Sequence, residues 1–312
     1  MSPPPQIEVP ENCTAVSFDC PVEGTIYGYY PSLGWNAFFA GFFGLCCLLQ
    51  LIFGIRYKTW TYMIGVGLGC AAECGGYVGR IMMHNNPYDD LGFQIQVVLL
   101  IFAPAFLAAG IYLILKHAVI LFGEEWSRIR PAWYTYIFIA CDVSSLVLQS
   151  AGGAIAATAD DDKKTSDMGT NIMIAGIIWQ VVVLVIFGAL VAEYCYRTYT
   201  RRTQLTHSAL TIWSSRRFRV FIGAVVIAYI TIFIRCVYRI PELLGGWGGE
   251  LMRVESEFIA FEGWMIVLCV MAQTVCHPGI FFPVMGGAAG KRMANRKLAS
   301  SEESDVEMLD RA

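Results

Sequence analysis

Charge is scarce in this sequence of 312 residues: 15% are Asp, Glu, Lys or Arg, against 56% hydrophobic residues. A water-soluble domain carries about 25% charged residues, so that class is excluded and the implied solvent is a bilayer. The first 32 residues hold no Lys or Arg and no short apolar core, which argues against a cleavable signal peptide and leaves the first long apolar stretch to direct insertion. No G-x-x-x-x-G-K-[ST] loop occurs, which excludes ATP hydrolysis by that route. The histidines, His84, His117, His207 and His277, show no paired spacing, and His207 falls in an expected loop. A zinc-dependent membrane lipid hydrolase needs three protein ligands and an open position, so it is the least supported class. Receptor signatures are missing too. The third apolar stretch ends in Ile114-Leu115-Lys116-His117, without an acidic-Arg-aromatic triplet, and the seventh has neither Asn-Pro-x-x-Tyr nor a lysine for a retinal Schiff base.

Long apolar runs are what the chain has instead. A spanning helix needs about 20 mostly apolar residues, and seven stretches qualify, roughly Leu33 to Phe53, Trp60 to Val78, Phe93 to Leu115, Ala132 to Ala157, Ile172 to Val191, Val220 to Ile240 and Phe258 to Cys276. The expected fold is all-α, a polytopic bundle of seven transmembrane helices. Most of the 22 Lys and Arg residues fall in the first, third and fifth connections and after the seventh helix, and cytoplasmic connections are enriched in both. The N-terminus is therefore expected outside and the C-terminus in the cytosol. The expected parts are an extracellular tail (1–32), a transmembrane domain (33–279) and a cytoplasmic, disordered tail (280–312) in which Ser300, Ser301 and Ser304 stand among acids as candidate phosphorylation sites.

Cys13 and Cys20 share the outer tail, where oxidising conditions permit a disulfide, although two free thiols also fit. Asn12-Cys13-Thr14 is a glycosylation sequon on the same side. The other cysteines sit largely in apolar helix and read as packing residues. The run from Asp160 to Lys164 reads as a charged outer loop. Pro104 is expected to kink the third helix. Gly65, Gly67, Gly69, Gly75, Gly76 and Gly79 make the second smooth enough for close helix approach.

Function is sought in polar groups that a bilayer penalises. Intramembrane charges cost several kcal/mol and usually face a bundle interior or a wet cavity. Glu73, Tyr77 and Arg80 recur on one face of the second helix, and Asp142, Ser145 and Gln149 on one face of the fourth. The sixth adds Arg235, Tyr238 and Arg239; the seventh adds Glu262, with Glu255 one heptad earlier. In the expected topology most of these lie in the outer half, with Asp142 near the middle. Mutual helix glue is one explanation. So many ionisable and amide groups at similar depth point instead to a hydrated pocket for an amphiphile with a polar head and an apolar body.

These residues also carry a resemblance. Tyr30-Pro31-Ser32 with Asn36 and Phe39, Glu73-Cys74-Gly75-Gly76-Tyr77-Val78-Gly79-Arg80, Asp142 to Gln149 with Gly152-Gly153, Arg235-Cys236-Val237-Tyr238-Arg239 with Glu242, Glu257 with Glu262, and His277-Pro278-Gly279 are together similar to the fungal lipid-translocating exporter family named for aminocholesterol resistance. One departure is that Glu262 stands where the family commonly has an aspartate. The resemblance implies movement or sensing of lipids and hydrophobic toxic compounds in a fungal membrane, often the plasma membrane, as part of drug resistance and stress response.

The reading from sequence is thus a non-enzymatic membrane protein that binds and translocates sphingoid-base-like lipids or lipid-like toxic compounds through Glu73, Tyr77, Arg80, Asp142, Gln149, Arg235, Arg239 and Glu262, with no cofactor and no nucleic acid. A seven-helix lipid sensor and a porphyrin transporter are the alternatives. The connection from Arg197 to Arg219 is a candidate dock for an acidic cytoplasmic partner or anionic lipid, though orientation alone explains its charge.

Overall fold

The computed structural model describes residues 13–159, 163–201, 203, 207–282 and 285. Asn12, Asp160 to Asp162 and the serines of the C-terminal tail lie outside the described residues. The described chain is helical: α1 (Leu33–Tyr57), α2 (Trp60–Asn85), α3 (Asp90–Phe122), α4 (Pro131–Ala157), α5 (Lys163–Thr200), α6 (His207–Ser214), α7 (Arg216–Leu244), α8 (Glu255–Glu257), a π-helical segment (Phe258–Trp264), α9 (Met265–Val275) and α10 (Pro278–Phe281). Two short 3-10 turns, Val22–Gly24 and Glu124–Trp126, complete it.

The helices are inside-out compared with those of a soluble protein. α1 buries Asn36 and Gln50 while Leu45, Leu48, Ile52 and Ile55 face outward, the pattern expected where lipid is the solvent and polar groups must be met internally. Among the described residues six runs are long and apolar enough to cross a membrane: α1, α3, α4, α5, α7 and Glu255–Phe281. The chain is therefore an integral, polytopic membrane protein. α2 is as long, at 26 residues, but glycine, Glu73 and Arg80 replace much of its apolar bulk.

Glycine sets the closest helix approaches. A Cβ on Gly79 of α2 would lie 2.7 Å from the Gly92 carbonyl of α3, and one on Gly152 of α4 would lie 2.6 Å from the Gly169 carbonyl of α5. Gly67, in contrast, has nothing near it. The Gly152–Gly169 contact carries α5 beyond its apolar window, so Lys163 and Lys164, expected in a loop, open the helix. His207 also departs from expectation, as the first residue of α6. α3 runs through Pro104 as one unbroken helix.

Two ends can be distinguished. At one, which we call the capped end, the segment 13–32 lies over the bundle. Cys13 and Cys20 form a disulfide there, with Cα atoms 5.8 Å apart. Asn86 donates to the Thr14 carbonyl, Tyr88 to that of Pro21, and the Ser32 N–H to Glu255. At the far end α1 turns into α2 through Lys58, held in the left-handed region at φ 57°.

Candidate functional site

Arg235 is the centre of a buried charge layer toward the capped end. It pairs with Glu262, lies 3.9 Å from Glu73 Oε1, and donates to the Leu100 carbonyl at 2.6 Å. None of the three charged side chains is more than 2% exposed. The Leu100 bond has a cause in the sequence. Leu100 stands four residues before Pro104, which has no N–H to return to it, so its carbonyl is left for Arg235 to satisfy. Glu262 belongs to the π-helical segment, whose wider turn shifts it from the register of a regular helix begun at Glu255. Such segments recur at functional sites.

One turn along α7, Arg239 donates to Glu242 at 2.8 Å, and Tyr238 donates to Glu257 at 3.2 Å while stacking on Phe261. Residues 235, 238, 239 and 242 share one face of the helix. Glu73 is fully buried, and neither of its oxygens has a hydrogen-bond partner. The layer thus holds Glu73, Glu242 and Glu262 against Arg235 and Arg239, and Glu73 alone among these acids has no hydrogen-bonded partner.

α4 adds an amide arm. Gln149 donates to Ser145 and to Gln180 of α5. Asp142 approaches the Tyr112 hydroxyl of α3, without hydrogen-bond geometry. Gln149, Gln180, Arg235 and Arg239 line a void of about 10 Å³ together with Pro104 and Cys236, room for about one water. The structure therefore joins Glu73, Arg235, Arg239, Glu262 and Gln149, and sets Asp142 to one side. Tyr77 packs on Phe39 and Phe43 with its hydroxyl unpaired.

Arg80 goes elsewhere. It donates to the Tyr29 hydroxyl at 3.0 Å and lies over the rings of Phe258, at 3.8 Å, and Tyr27, at 5.0 Å, a cation–π arrangement. Gln96 donates to Tyr27 at 2.8 Å. Burial pushes the Tyr27 phenol up to about 12, against the pull of Arg80. Tyr27, Tyr29, Gln96, Gln180 and Tyr112 are neighbours of these side chains that the sequence reading omitted. Glu242 was recoverable from its spacing to Arg239, whereas the N-terminal tyrosines had no periodic signal.

The volume expected beside the charges is found elsewhere. Among the described residues a cavity of about 500 Å³ lies between α3, α5, α6 and α7 toward the far end, with an almost wholly apolar lining. The hydrated pocket expected at the charged residues is replaced there by dense packing. No three His, Cys, Asp or Glu side chains among the described residues converge on a metal-sized site.

A family model described as "RTA1 like protein" matches residues 66–285. Among curated relatives, the "Sphingoid long-chain base transporter RSB1" of Saccharomyces cerevisiae is 28% identical over 282 residues, covering 82% of this chain and 74% of its own. "Protoporphyrin uptake protein 1" of the same yeast is 29% identical over 216 residues, covering 69% of this chain and 67% of its own. "Protein RTM1" is 27% identical over 227 residues, covering 72% and 69%. No solved structure matches the chain.

Proposed function

The chain belongs to the RTA1-like family, and from that membership we propose that it moves long-chain amphiphiles with an amine head, of the sphingoid-base type, across its membrane. The observation that carries this is the charge layer. Arg235 is shared by two buried acids, and Glu73 is left without a hydrogen-bond partner of its own. A buried charge is stable only when paired, and an ammonium head supplies the missing partner at Glu73. Asp142 and Gln149 offer further acceptors, while Arg80 and the tyrosines of the N-terminal segment close the layer at the capped end. The relative named as a sphingoid long-chain base transporter supports the same class. A second reading, porphyrin uptake, is favoured by the name of another relative and by the arginines Arg80, Arg235 and Arg239, which suit carboxylates.

We further read the transmembrane domain (33–279) as seven crossings, since α2 packs along α3 over its length and α1 and α3 flank it. The far end carries Arg56, Lys58, Lys116, Arg128, Arg130, Arg197, Arg216, Arg217 and Arg219, which supports a cytosolic far end and an outer capped end, in the plasma membrane. Segments 1–32 and 280–312 are then the outer and cytosolic tails, and the basic connection sets orientation, with anionic lipid as its natural neighbour.

Uptake and efflux of a labelled sphingoid base in proteoliposomes tests the proposal, with wild type set against Glu73→Gln and Glu262→Gln. Movement by wild type that both folded variants lose is the expected result. Binding without movement in wild type overturns transport and favours a lipid sensor.

A further inference from the structure

The cavity between α3, α5, α6 and α7 has no part in the charge layer. Its mouth is formed by Ala192 and Cys195 of α5 and by Arg219 and Val226 of α7, all exposed. Both helices are long and apolar enough to cross a membrane, and the mouth opens on their exposed seam near the far end. Toward the capped end the α5–α7 seam closes where Tyr229 donates to the Leu184 carbonyl at 2.9 Å and packs on Phe187. From Arg219 to Tyr229 the slot runs about 15 Å at 1.5 Å per residue. A volume of about 500 Å³ falls in the range of about 300–1,000 Å³ typical of small-molecule sites.

Polar groups in the lining gather at the far end. Thr198 is 1% exposed, and its hydroxyl, near Tyr194, meets no partner in hydrogen-bond geometry. The Arg219 guanidinium makes one long bond, 3.3 Å to the Ser214 carbonyl. Among the described residues no acid lines the cavity; of the nearby acids, Glu193 is held by Arg128 and Arg197, and Glu124 lies on the Tyr194 side. A guanidinium and a buried hydroxyl at one end of an apolar slot select the opposite head charge from the amine site.

We propose that this cavity is a second lipid site, which takes a single-chain amphiphile with an anionic head, its chain between α5 and α7 and its phosphate or carboxylate on Arg219 and Thr198. The site shares no residue with the charge layer and does not rest on the transport reading.

Cys195 at the mouth reports occupancy. In phosphatidylcholine nanodiscs, its alkylation by a maleimide is followed by peptide mass spectrometry with hexadecyl phosphate, hexadecanoate or hexadecylamine added. One or both anions are expected to slow Cys195 about tenfold, equivalent to about 1.4 kcal/mol, and the amine to have little effect; the stronger anion names the head. Arg219→Gln should abolish the difference between anion and amine, and Val225→Phe should weaken protection by occupying the slot. Ala118→Leu serves the same purpose if Val225→Phe fails to fold. Equal protection by the amine, none by either anion, or full protection in Arg219→Gln overturns the proposal. Glu73→Gln separates the two sites: anion protection persisting there supports independence, and its loss overturns it.

Discussion

The two halves of the bundle solve opposite problems. Toward the capped end, charges are buried and almost no space remains, with a void of about 10 Å³ among Gln149, Gln180, Arg235 and Arg239. Toward the far end, about 500 Å³ is left open among Ile, Leu, Phe and Val side chains. The difference follows from what each lining demands. A buried charge needs partners, so Arg235 holds Glu262 of the π-helical segment and the Leu100 carbonyl of α3 against α7, with Glu73 of α2 beside them. Apolar walls demand nothing directional, and lipid tails can stand in for missing neighbours.

This contrast predicts how each half responds to substitution. The largest effect is expected from Arg235→Ala, which strands Glu73, Glu262 and the Leu100 carbonyl. Removing one partner of a buried pair costs about 3–5 kcal/mol, to be seen as a large fall in thermal unfolding temperature in nanodiscs. A variant as stable as wild type would break the account of the capped half. Next comes Gly79→Ala, whose new methyl meets the α3 backbone near Gly92; overpacking of this kind costs about 1–3 kcal/mol in the same assay. Pro104→Ala restores an N–H that competes with Arg235 for the Leu100 carbonyl. It should slow transport while changing stability by no more than about 1 kcal/mol, the worth of one hydrogen bond, and unchanged transport would show that this anchor is dispensable. The smallest effect belongs to the other half: Ala118→Leu adds bulk beside the cavity and should shift stability by less than about 1 kcal/mol in either direction. A penalty as large as that of Gly79→Ala would erase the distinction between the halves.

Much of the frame was legible before any coordinates. Seven apolar stretches lie within α1 to α5, α7 and the Glu255–Phe281 run, because a bilayer imposes a length and a polarity that sequence displays directly. The ends were less legible. α5 extends past its apolar window at both ends, since the Gly152–Gly169 contact and the Glu193 ion pairs continue it where hydropathy has already fallen. Glu73, Arg235 and Glu262 were recognised as misplaced charges, but their pairing depends on the π-helical turn and on the carbonyl freed by Pro104, neither of which has a periodic signature. Arg80 shared a helix face with Glu73 and so was grouped with it, whereas the fold of the N-terminal segment gives it Tyr27 and Tyr29 instead. The large cavity had no signal, because residues that line it are of the same kinds as residues that face lipid.

The central claim is that Glu73, left without a hydrogen-bond partner in the buried layer, receives an amine there. Binding of hexadecylamine and of hexadecanol to wild type and Glu73→Gln in phosphatidylcholine nanodiscs tests it most directly, since the two probes differ only in the head. The account predicts that wild type prefers the amine by about tenfold or more, about 1.4 kcal/mol, and that Glu73→Gln binds the two alike while remaining as stable as wild type. An amine preference that survives in Glu73→Gln would contradict it.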